Sequence, residues 1–325
     1  MADPQEIKSR INSIRDTKKV TGAMYMISSI KMRRAMREVE QTKPYFRALK
    51  EEIGHVFRCI PEIRNPYFMH RTDTANRSGV LVVTADRGLA GSYNHDVINM
   101  TERFLEMHPQ TTLFVVGEYG RQYFRHRKSS LCEDFYYSCE KPTVLTAQCI
   151  CAEMLERFRS GELDEIHIIY TDYKSGMTHE CKTNCLLPLD SSRFSGGDRS
   201  EGQNEQFEFW PDPNTVLNNI VPSYLTGFIY SSLIDSFCSE QHARMTAMDN
   251  AGRNADEMLR ELSVQYNSVR QAAITREITE VSAGARALRR KHAAQAAFAL
   301  GRIQYHAPQI RLYSLGKRIS QAASA

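Results

Sequence analysis

The chain has 325 residues, of which 42% are hydrophobic and 25% are charged, and its formal net charge is +4. This composition is sufficient for one large or two ordinary domains, and so weak a positive charge does not indicate binding to nucleic acid. No stretch approaches the roughly 18 apolar residues of a membrane span, and the first residues lack the apolar core of a signal peptide. We therefore expect a protein that binds no nucleic acid and associates with a membrane only through partners.

The eight cysteines are expected to be reduced thiols, because a chain of this length without an export signal rarely depends on disulfides. The pairs Cys149/Cys151 and Cys181/Cys185 do not have the two-residue spacing typical of structural zinc sites. We interpret them as packing residues, with a regulatory dithiol as the alternative. The sequence thus predicts neither a metal nor another cofactor.

The N-terminal segment, residues 1–60, is predicted to form one long helix. Pro4 suits a first helical turn, and Pro44 is expected to kink or interrupt the helix. Pro61 and Pro66 are expected to end it. The apolar residues at helical spacing are Ile7, Ile11, Ile14, Met24, Ile27 and Val39.

Residues 75–210 are predicted to form an α/β domain. The run from Gly79 to Thr84 is apolar and β-branched, as in a buried parallel strand. Strands and helices alternate after it, which predicts a mostly parallel sheet. The predicted strands are 79–84, 112–116, 165–171 and 179–187, with a weak strand near Phe135. The predicted helices are 94–107, a helix from about 118, and 143–159.

Residues 211–288 are predicted to form a second long helix, with Asp212 and Asn214 as candidate N-terminal caps. Positions along this helix alternate in steps of three and four, which defines a heptad seam. The seam positions are Met245, Met248, Gly252, Ala255, Leu259, Leu262, Tyr266, Val269 and Ala273. We expect the two long helices to form an antiparallel coiled coil, with close approach at small residues such as Gly252. Residues 269–288 are expected to extend beyond it unpaired.

Four blocks of sequence resemble, in order, the F-type ATP synthase gamma subunits of bacteria. The blocks are Ile7-Lys-Ser-Arg-Ile-Asn-Ser-Ile14 with Thr17 to Met24, Thr84-Ala-Asp-Arg-Gly-Leu-Ala-Gly-Ser-Tyr-Asn94, Ser239 to Ala251, and Tyr266 to Leu288. The resemblance covers about residues 4–288, and Ala90 stands where the family has a cysteine. It implies that residues 75–210 form a Rossmann-like α/β domain inserted between the helices of the coiled coil. It also implies a central stalk that is not itself an enzyme, on the cytoplasmic face of the bacterial plasma membrane. The implied partners are the alpha and beta subunits, the epsilon subunit and the membrane c-ring.

The resemblance also implies which residues bind those partners. It implies that Arg270 and Gln271 hydrogen-bond a beta-subunit loop, and that Arg244 and Met24 lie where the coil meets the moving beta lever. The remaining candidates for contact with the alpha and beta subunits are Thr275, Glu277, Glu280 and Lys18. The rotor-foot candidates, for contact with the c-ring, are Phe207, Glu208 and Phe209.

Residues 289–325, the basic extension, lie beyond this resemblance and contain no acidic residue. We interpret the extension as a peripheral basic tail, or alternatively as a contact for an acidic partner. Two other classes of protein remain open: a coiled-coil adaptor, and a nucleotide-binding enzyme on the central domain. The second would use the Gly-rich turn at 86–91, but that turn lacks a complete phosphate-binding pattern. A structural turn is the preferred interpretation.

Overall fold

A computed structural model describes residues 3–60, 63–69, 77–127, 129–173, 179–190, 194 and 209–305, with side chains in the last range as far as 298. The chain divides into two compact units. The first contains Met1–Ile14 and Glu257–Ala325, and the second contains Arg15–Asp256. Because two long helices contribute to both units, these boundaries differ from the predicted segments 1–60, 75–210, 211–288 and 289–325, whose division stays a prediction.

The first helix, α1 (Pro4–Cys59), begins and ends where the prolines predict. It is continuous through Pro44, so the helix is not interrupted there, and a kink at Pro44 stays a prediction. A proline in a helix costs about 3 kcal/mol through its missing N–H. The apolar residues that follow Pro44, such as Phe46 and Ile53, pack in the core of the second unit, and this burial offsets the cost.

The second unit is built on a four-stranded sheet in the order β2-β1-β3-β4. The strands are β1 (Ser78–Val83), β2 (Thr111–Val116), β3 (Glu165–Tyr173) and β4 (His179–Leu187). Strand β1 pairs in parallel with β2 and β3, and β4 pairs antiparallel with β3. The prediction of an α/β fold with a mostly parallel sheet is confirmed.

Side chains of each strand alternate between the two faces of the sheet. On one face Val80 and Val82 pack with helices α2 (Tyr93–Met107) and α3 (Glu118–His126). On the other face Leu81 and Val83 belong to a larger core with helix α4 (Val144–Arg159) and the two long helices. The sheet is therefore buried on both faces, which explains why β1 is apolar throughout.

The predicted strand near Phe135 is wrong. Only isolated bridges occur there, at Leu131 and Tyr137. The Arg121 guanidinium donates to the carbonyl oxygens of Phe135 and Glu133, at 2.5 Å each. A side chain from α3 thus supplies hydrogen bonds that a strand would take from a neighbouring strand, while the Phe135 ring is fully buried.

The last helix, α5 (Pro213–Tyr305), has 93 residues. The Asp212 carboxylate accepts from the Thr215 N–H at 3.0 Å, so Asp212 caps the helix as predicted. Asn214 is not a cap, because its side-chain oxygen accepts from the Asn65 amide at 3.3 Å. The helix continues past 288 to Tyr305, through an alanine-rich and proline-free stretch that favours helix.

Within the second unit α5 runs antiparallel to α1. Lys18 pairs with Asp256 at 2.6 Å, and the rings of Phe46 and Tyr230 lie 6.4 Å apart. Lower-numbered residues of α1 therefore lie beside higher-numbered residues of α5, as expected for antiparallel helices. The helices approach closely at Gly227, where an added Cβ would lie 1.9 Å from the Phe46 ring. At Gly252 an added Cβ would meet no atom within 4 Å, so the close approach expected there is wrong.

Burial along α5 follows the predicted seam. Met248 and Ala255 are buried, and six further seam residues are partly buried: Met245, Gly252, Leu259, Leu262, Tyr266 and Val269. The last predicted position, Ala273, is exposed, as is every side chain from 270 to 298. In the N-terminal part of the first unit, Ile7 and Ile11 are buried. The packed seam therefore ends at Val269, where the sequence predicts that the unpaired segment begins.

Candidate partner-binding surfaces

A cleft of about 240 Å³ lies between α1, α5 and the 86–91 loop. It brings together two predicted site residues, Met24 and Arg244, from opposite ends of the sequence. Two further lining residues, Ser28 and Gln241, are 2% and 3% exposed, and neither side chain has a hydrogen-bond partner among the described residues. Lys31 and Glu140, 3.5 Å apart, form an ion pair beside them.

The Arg244 side chain is committed to its own chain. Its guanidinium donates to the Glu240 carboxylate at 2.6 Å and to the carbonyl oxygens of Gly88 at 3.0 Å and Arg87 at 3.4 Å. Burial raises the pKa of Glu240, and the positive charge of Arg244 opposes that rise. The arginine thus holds the 86–91 loop against α5. This placement favours a positioning role for Arg244 over direct contact with a partner.

The 86–91 loop is held from its other side by Asp86. The Asp86 carboxylate accepts from the backbone N–H of Glu118 at 3.1 Å, the N–H of Cys139 at 3.0 Å and the Ser138 hydroxyl at 2.6 Å. A phosphate-binding turn directs backbone N–H groups at its ligand, whereas the atoms that meet Arg244 here are carbonyl oxygens. The geometry favours the structural turn over the nucleotide-binding alternative.

Lys18 also has a partner within the chain. Its ammonium lies 2.6 Å from the Asp256 carboxylate, with each side chain about half exposed. The neighbouring Lys19 pairs with Asp16 at 3.0 Å. Exposed pairs of this kind contribute about 0–1 kcal/mol, so a partner's carboxylate competes with them at little cost.

The exposed segment, residues 270–298 of α5, holds the other predicted contacts. Arg270, Gln271, Thr275, Glu277 and Glu280 are all exposed. The Thr275 hydroxyl donates back to the Gln271 carbonyl at 2.9 Å, and the Arg270 side chain has no partner among the described residues. Arg270 and Glu277 share a face, being seven residues apart.

The same segment exposes large apolar side chains that the sequence reasoning missed. Ile274, Ile278, Val281 and Leu288 are 47–69% exposed. Their spacing of four, three and seven residues places them on one stripe. That spacing is visible in the sequence. It was overlooked because the neighbouring heptad seam has the same period, although it lies on a different face of the helix.

The predicted rotor-foot residues are only partly described. Phe207 and Glu208 lie outside the described residues. Phe209 is partly buried and packs on the core of its own unit. The next residue, Trp210, is 82% exposed, although sequence reasoning did not select it. An exposed tryptophan is typical of a binding surface.

A sequence model of the family described as "ATP synthase" matches residues 3–288. The ATP synthase gamma chain of Acetivibrio thermocellus is 37% identical over 295 residues, which cover 89% of this chain and 100% of that protein. This chain belongs to the ATP synthase gamma chain family. The sodium-ion-specific ATP synthase gamma chain of Acetobacterium woodii is 35% identical, covering 87% of this chain and 98% of that protein.

Solved structures have the same fold. The rotor of the Euglena gracilis mitochondrial ATP synthase has a chain that is 15% identical, with a TM-score of 0.57 over 83% of this chain and 98% of that chain. The central stalk and c-ring structure of the Tetrahymena thermophila mitochondrial ATP synthase has one that is 23% identical, with a TM-score of 0.52 over 71% of this chain and 99% of that chain. This chain thus shares its fold with chains of these ATP synthase structures.

The cysteines of this gamma chain family member differ in burial. Cys151 is buried and Cys149 is exposed. Burial raises the pKa of Cys151 to about 11 and the pKa values of Cys181 and Cys238 to about 12. Such thiols are poor nucleophiles at neutral pH. Within the described part of the chain, no three or more His, Cys, Asp or Glu side chains are placed to hold a metal ion.

Proposed function

We propose that this chain is the central rotor shaft of an F-type ATP synthase. Ion-driven rotation of the membrane c-ring turns the shaft, and the shaft forces the catalytic beta subunits through their conformations, making ATP. The reverse reaction pumps ions. The observation that carries this proposal is that α5 changes, at Val269, from a helix with a buried seam to one whose described side chains are all exposed.

This change matches two mechanical requirements. Torque requires a stiff element, and the heptad seam between α1 and α5 supplies one in the second unit. A bearing requires a surface that meets its surroundings without being fixed to one of them. The exposed segment presents an apolar stripe beside isolated polar groups such as Arg270, which suit such sliding contact.

Arg270 and Gln271 are proposed to hydrogen-bond a beta-subunit loop during part of each turn. An arginine without a partner in its own chain is suited to this, because its planar guanidinium binds a carboxylate through two parallel hydrogen bonds. Thr275, Glu277 and Glu280 extend the same contact surface. Met24 is proposed to meet the beta lever at the cleft, and Arg244 to position the 86–91 loop there.

The remaining partners follow from this role. The alpha and beta subunits surround the exposed segment, and the epsilon subunit and the c-ring bind the opposite end. The exposed Trp210 joins Phe207, Glu208 and Phe209 as a candidate for the latter contact. Catalysis belongs to the beta subunits, so this chain is not itself an enzyme. We place it peripherally at the cytoplasmic face of a bacterial plasma membrane; no described helix is both long and apolar enough to cross a membrane.

Co-purification from native membranes tests the assignment. An affinity-tagged chain is expected to retain alpha, beta and epsilon subunits and the c-ring after mild detergent extraction. A bead attached through the exposed Cys149 is then expected to rotate in one direction when ATP is added to the immobilised complex. Retention of only a second copy of the chain, or of an unrelated set of proteins, would support the adaptor alternative.

A further inference from the structure

The helix α5 does not end where the family match ends. The match stops at residue 288, and α5 continues to Tyr305. The side chains described in this continuation, residues 289–298, are all exposed. The continuation is thus a helical surface that the family assignment does not explain.

Its charge differs from that of the rest of the chain. All 38 acidic residues lie before residue 281, together with 34 of the 42 Lys and Arg residues. The chain up to residue 280 is therefore weakly acidic, and residues 281–325 contain eight cationic residues and no acidic one. Some exposed cations elsewhere, such as Lys19 and Arg253, pair with neighbouring carboxylates, whereas Arg270 does not pair with a described carboxylate. No described carboxylate pairs with the four described cations in the continuation or just before it. These cations are Arg286, Arg289, Arg290 and Lys291.

The distribution of side chains around the helix indicates what kind of surface fits. Successive residues advance by about 100°, so the apolar stripe that includes Val281 and Leu288 reaches His292 and Ala296 next. The stripe of large apolar residues thus stops at Leu288. The four cations lie off this stripe and occupy both of its flanks and the back of the helix.

A lipid surface fits this arrangement poorly. An interfacial helix needs a continuous face of large apolar side chains, and among residues 289–298 Phe298 alone is large and apolar. It lies about 80° from Leu288 around the helix. Carboxylates of a protein fit better, because three of the four cations are arginines, which bind carboxylates with two parallel hydrogen bonds. Small alanine side chains at 293, 294, 296 and 297 allow another protein surface to approach the helix closely.

We propose that residues 286–298 dock in an acidic protein groove whose carboxylates surround the helix on the sides away from the apolar stripe. The inference rests on the proposed function only in that the groove is sought among the other subunits of the complex. The contact there is electrostatic, in addition to the apolar contact of the stripe.

Photo-cross-linking in the intact complex tests the proposal. The substitution Phe298→benzoylphenylalanine places a photoreactive group in the middle of the continuation, and mass spectrometry identifies the attached residues. We expect attachment to a subunit segment rich in Asp and Glu. Attachment to phospholipid, attachment to a protein surface without clustered carboxylates, or no attachment would each overturn the proposal.

Charge removal provides the second measurement. The triple variant Arg289→Ala/Arg290→Ala/Lys291→Ala is expected to lower the cross-link yield about tenfold, since three exposed ion pairs are lost together. The matched control, Arg33→Ala/Arg37→Ala/Arg47→Ala, removes three exposed cations of α1 and is expected to leave the yield unchanged. Equal yields in the two variants would overturn the proposal. Co-purification with the alpha and beta subunits is scored separately, so that failure of the proposed function is recognised independently.

Discussion

The Arg244 guanidinium donates to the Glu240 carboxylate at 2.6 Å, one helical turn earlier on α5. Both side chains are at least nine-tenths buried. Another side chain would not easily replace this arginine, because its guanidinium also donates to the carbonyl oxygen of Gly88 in the 86–91 loop. One residue therefore neutralises a buried acid and attaches a loop of the α/β domain to the long helix.

Arg244→Ala is expected to lower the free energy of unfolding by about 3–5 kcal/mol, because Glu240 is left buried without its partner. The measurement is urea unfolding of the isolated chain, followed by circular dichroism. Adding Glu240→Gln to Arg244→Ala is expected to recover part of the loss, since the buried charge is then removed.

The control for Arg244 is on the same helix. Arg253 pairs with Asp249 at the same spacing of four residues, but its side chain is 76% exposed. Arg253→Ala is expected to cost less than about 1 kcal/mol. If Arg244→Ala costs no more than Arg253→Ala while still reducing ATP turnover of the complex, Arg244 contacts a partner directly and the positioning role is wrong.

Much of this site could be predicted from the sequence, because the interactions involved join residues that are close together in the chain. The heptad seam from Met245 to Val269 is a local pattern, and it predicts the buried face of α5 residue by residue. The Glu240–Arg244 pair was visible as well, because acid and base stand four residues apart on a predicted helix. Sequence reasoning assigned Arg244 to a partner because the family motif suggested it, and overlooked the neighbour.

What could not be predicted depends on residues distant in sequence. Lys18 meets Asp256 across 238 positions, so no local pattern indicates that it is paired. Phe135 lies in an apolar and aromatic stretch that resembles a strand, but the Arg121 guanidinium donates a hydrogen bond to its carbonyl oxygen. Gly252 lies on the seam and Gly227 does not, and yet it is Gly227 that approaches α1 closely. Packing distance between helices depends on both helices, and the seam describes one.

Replacing the helical glycines Gly227 and Gly252 by alanine is expected to change the stability of the chain in opposite directions. Gly227→Ala places a methyl group 1.9 Å from the Phe46 ring, and is expected to destabilise the chain by about 1–3 kcal/mol through overpacking. Gly252→Ala meets open space, and is expected to stabilise it by about 0.5–1 kcal/mol, because alanine loses less backbone entropy in a helix. Thermal unfolding of both variants checks the signs. A destabilising Gly252→Ala would show that the seam is closer there than described.

Asp235 on α5 gives a prediction of pH dependence. Burial raises the pKa of its carboxyl to about 7, as does Asp172 on β3, while Lys43 on α1 and Lys182 on β4 act in the opposite direction. The folded chain therefore binds the Asp235 proton more tightly than the unfolded chain. Stability from this group is full below the ordinary pKa of an aspartate, near 4, and is lost as the pH rises to about 7.

The free energy of unfolding of Asp235→Asn is thus expected to exceed that of the wild-type chain by about 1–3 kcal/mol at about pH 8, and by much less at about pH 4. Urea unfolding at the two pH values measures the difference. The control is Asp134→Asn, which changes an exposed aspartate and is expected to show the same small effect at both. An Asp235→Asn effect that does not change with pH would mean that folding does not raise the pKa of Asp235.

Arg270→Ala tests the proposed catch on the exposed segment. The Arg270 side chain stabilises nothing in its own chain, so the variant is expected to fold and assemble normally. Loss of a bidentate contact with a beta-subunit carboxylate is expected to lower coupled ATP turnover by about tenfold, the effect of a charged hydrogen bond worth roughly 1.5 kcal/mol. Arg276→Ala, an exposed arginine on another face of the same segment, serves as the control and is expected to retain wild-type turnover. Turnover is measured in the purified complex at matched subunit composition. Equal turnover in the two variants would remove Arg270 from the proposed contact.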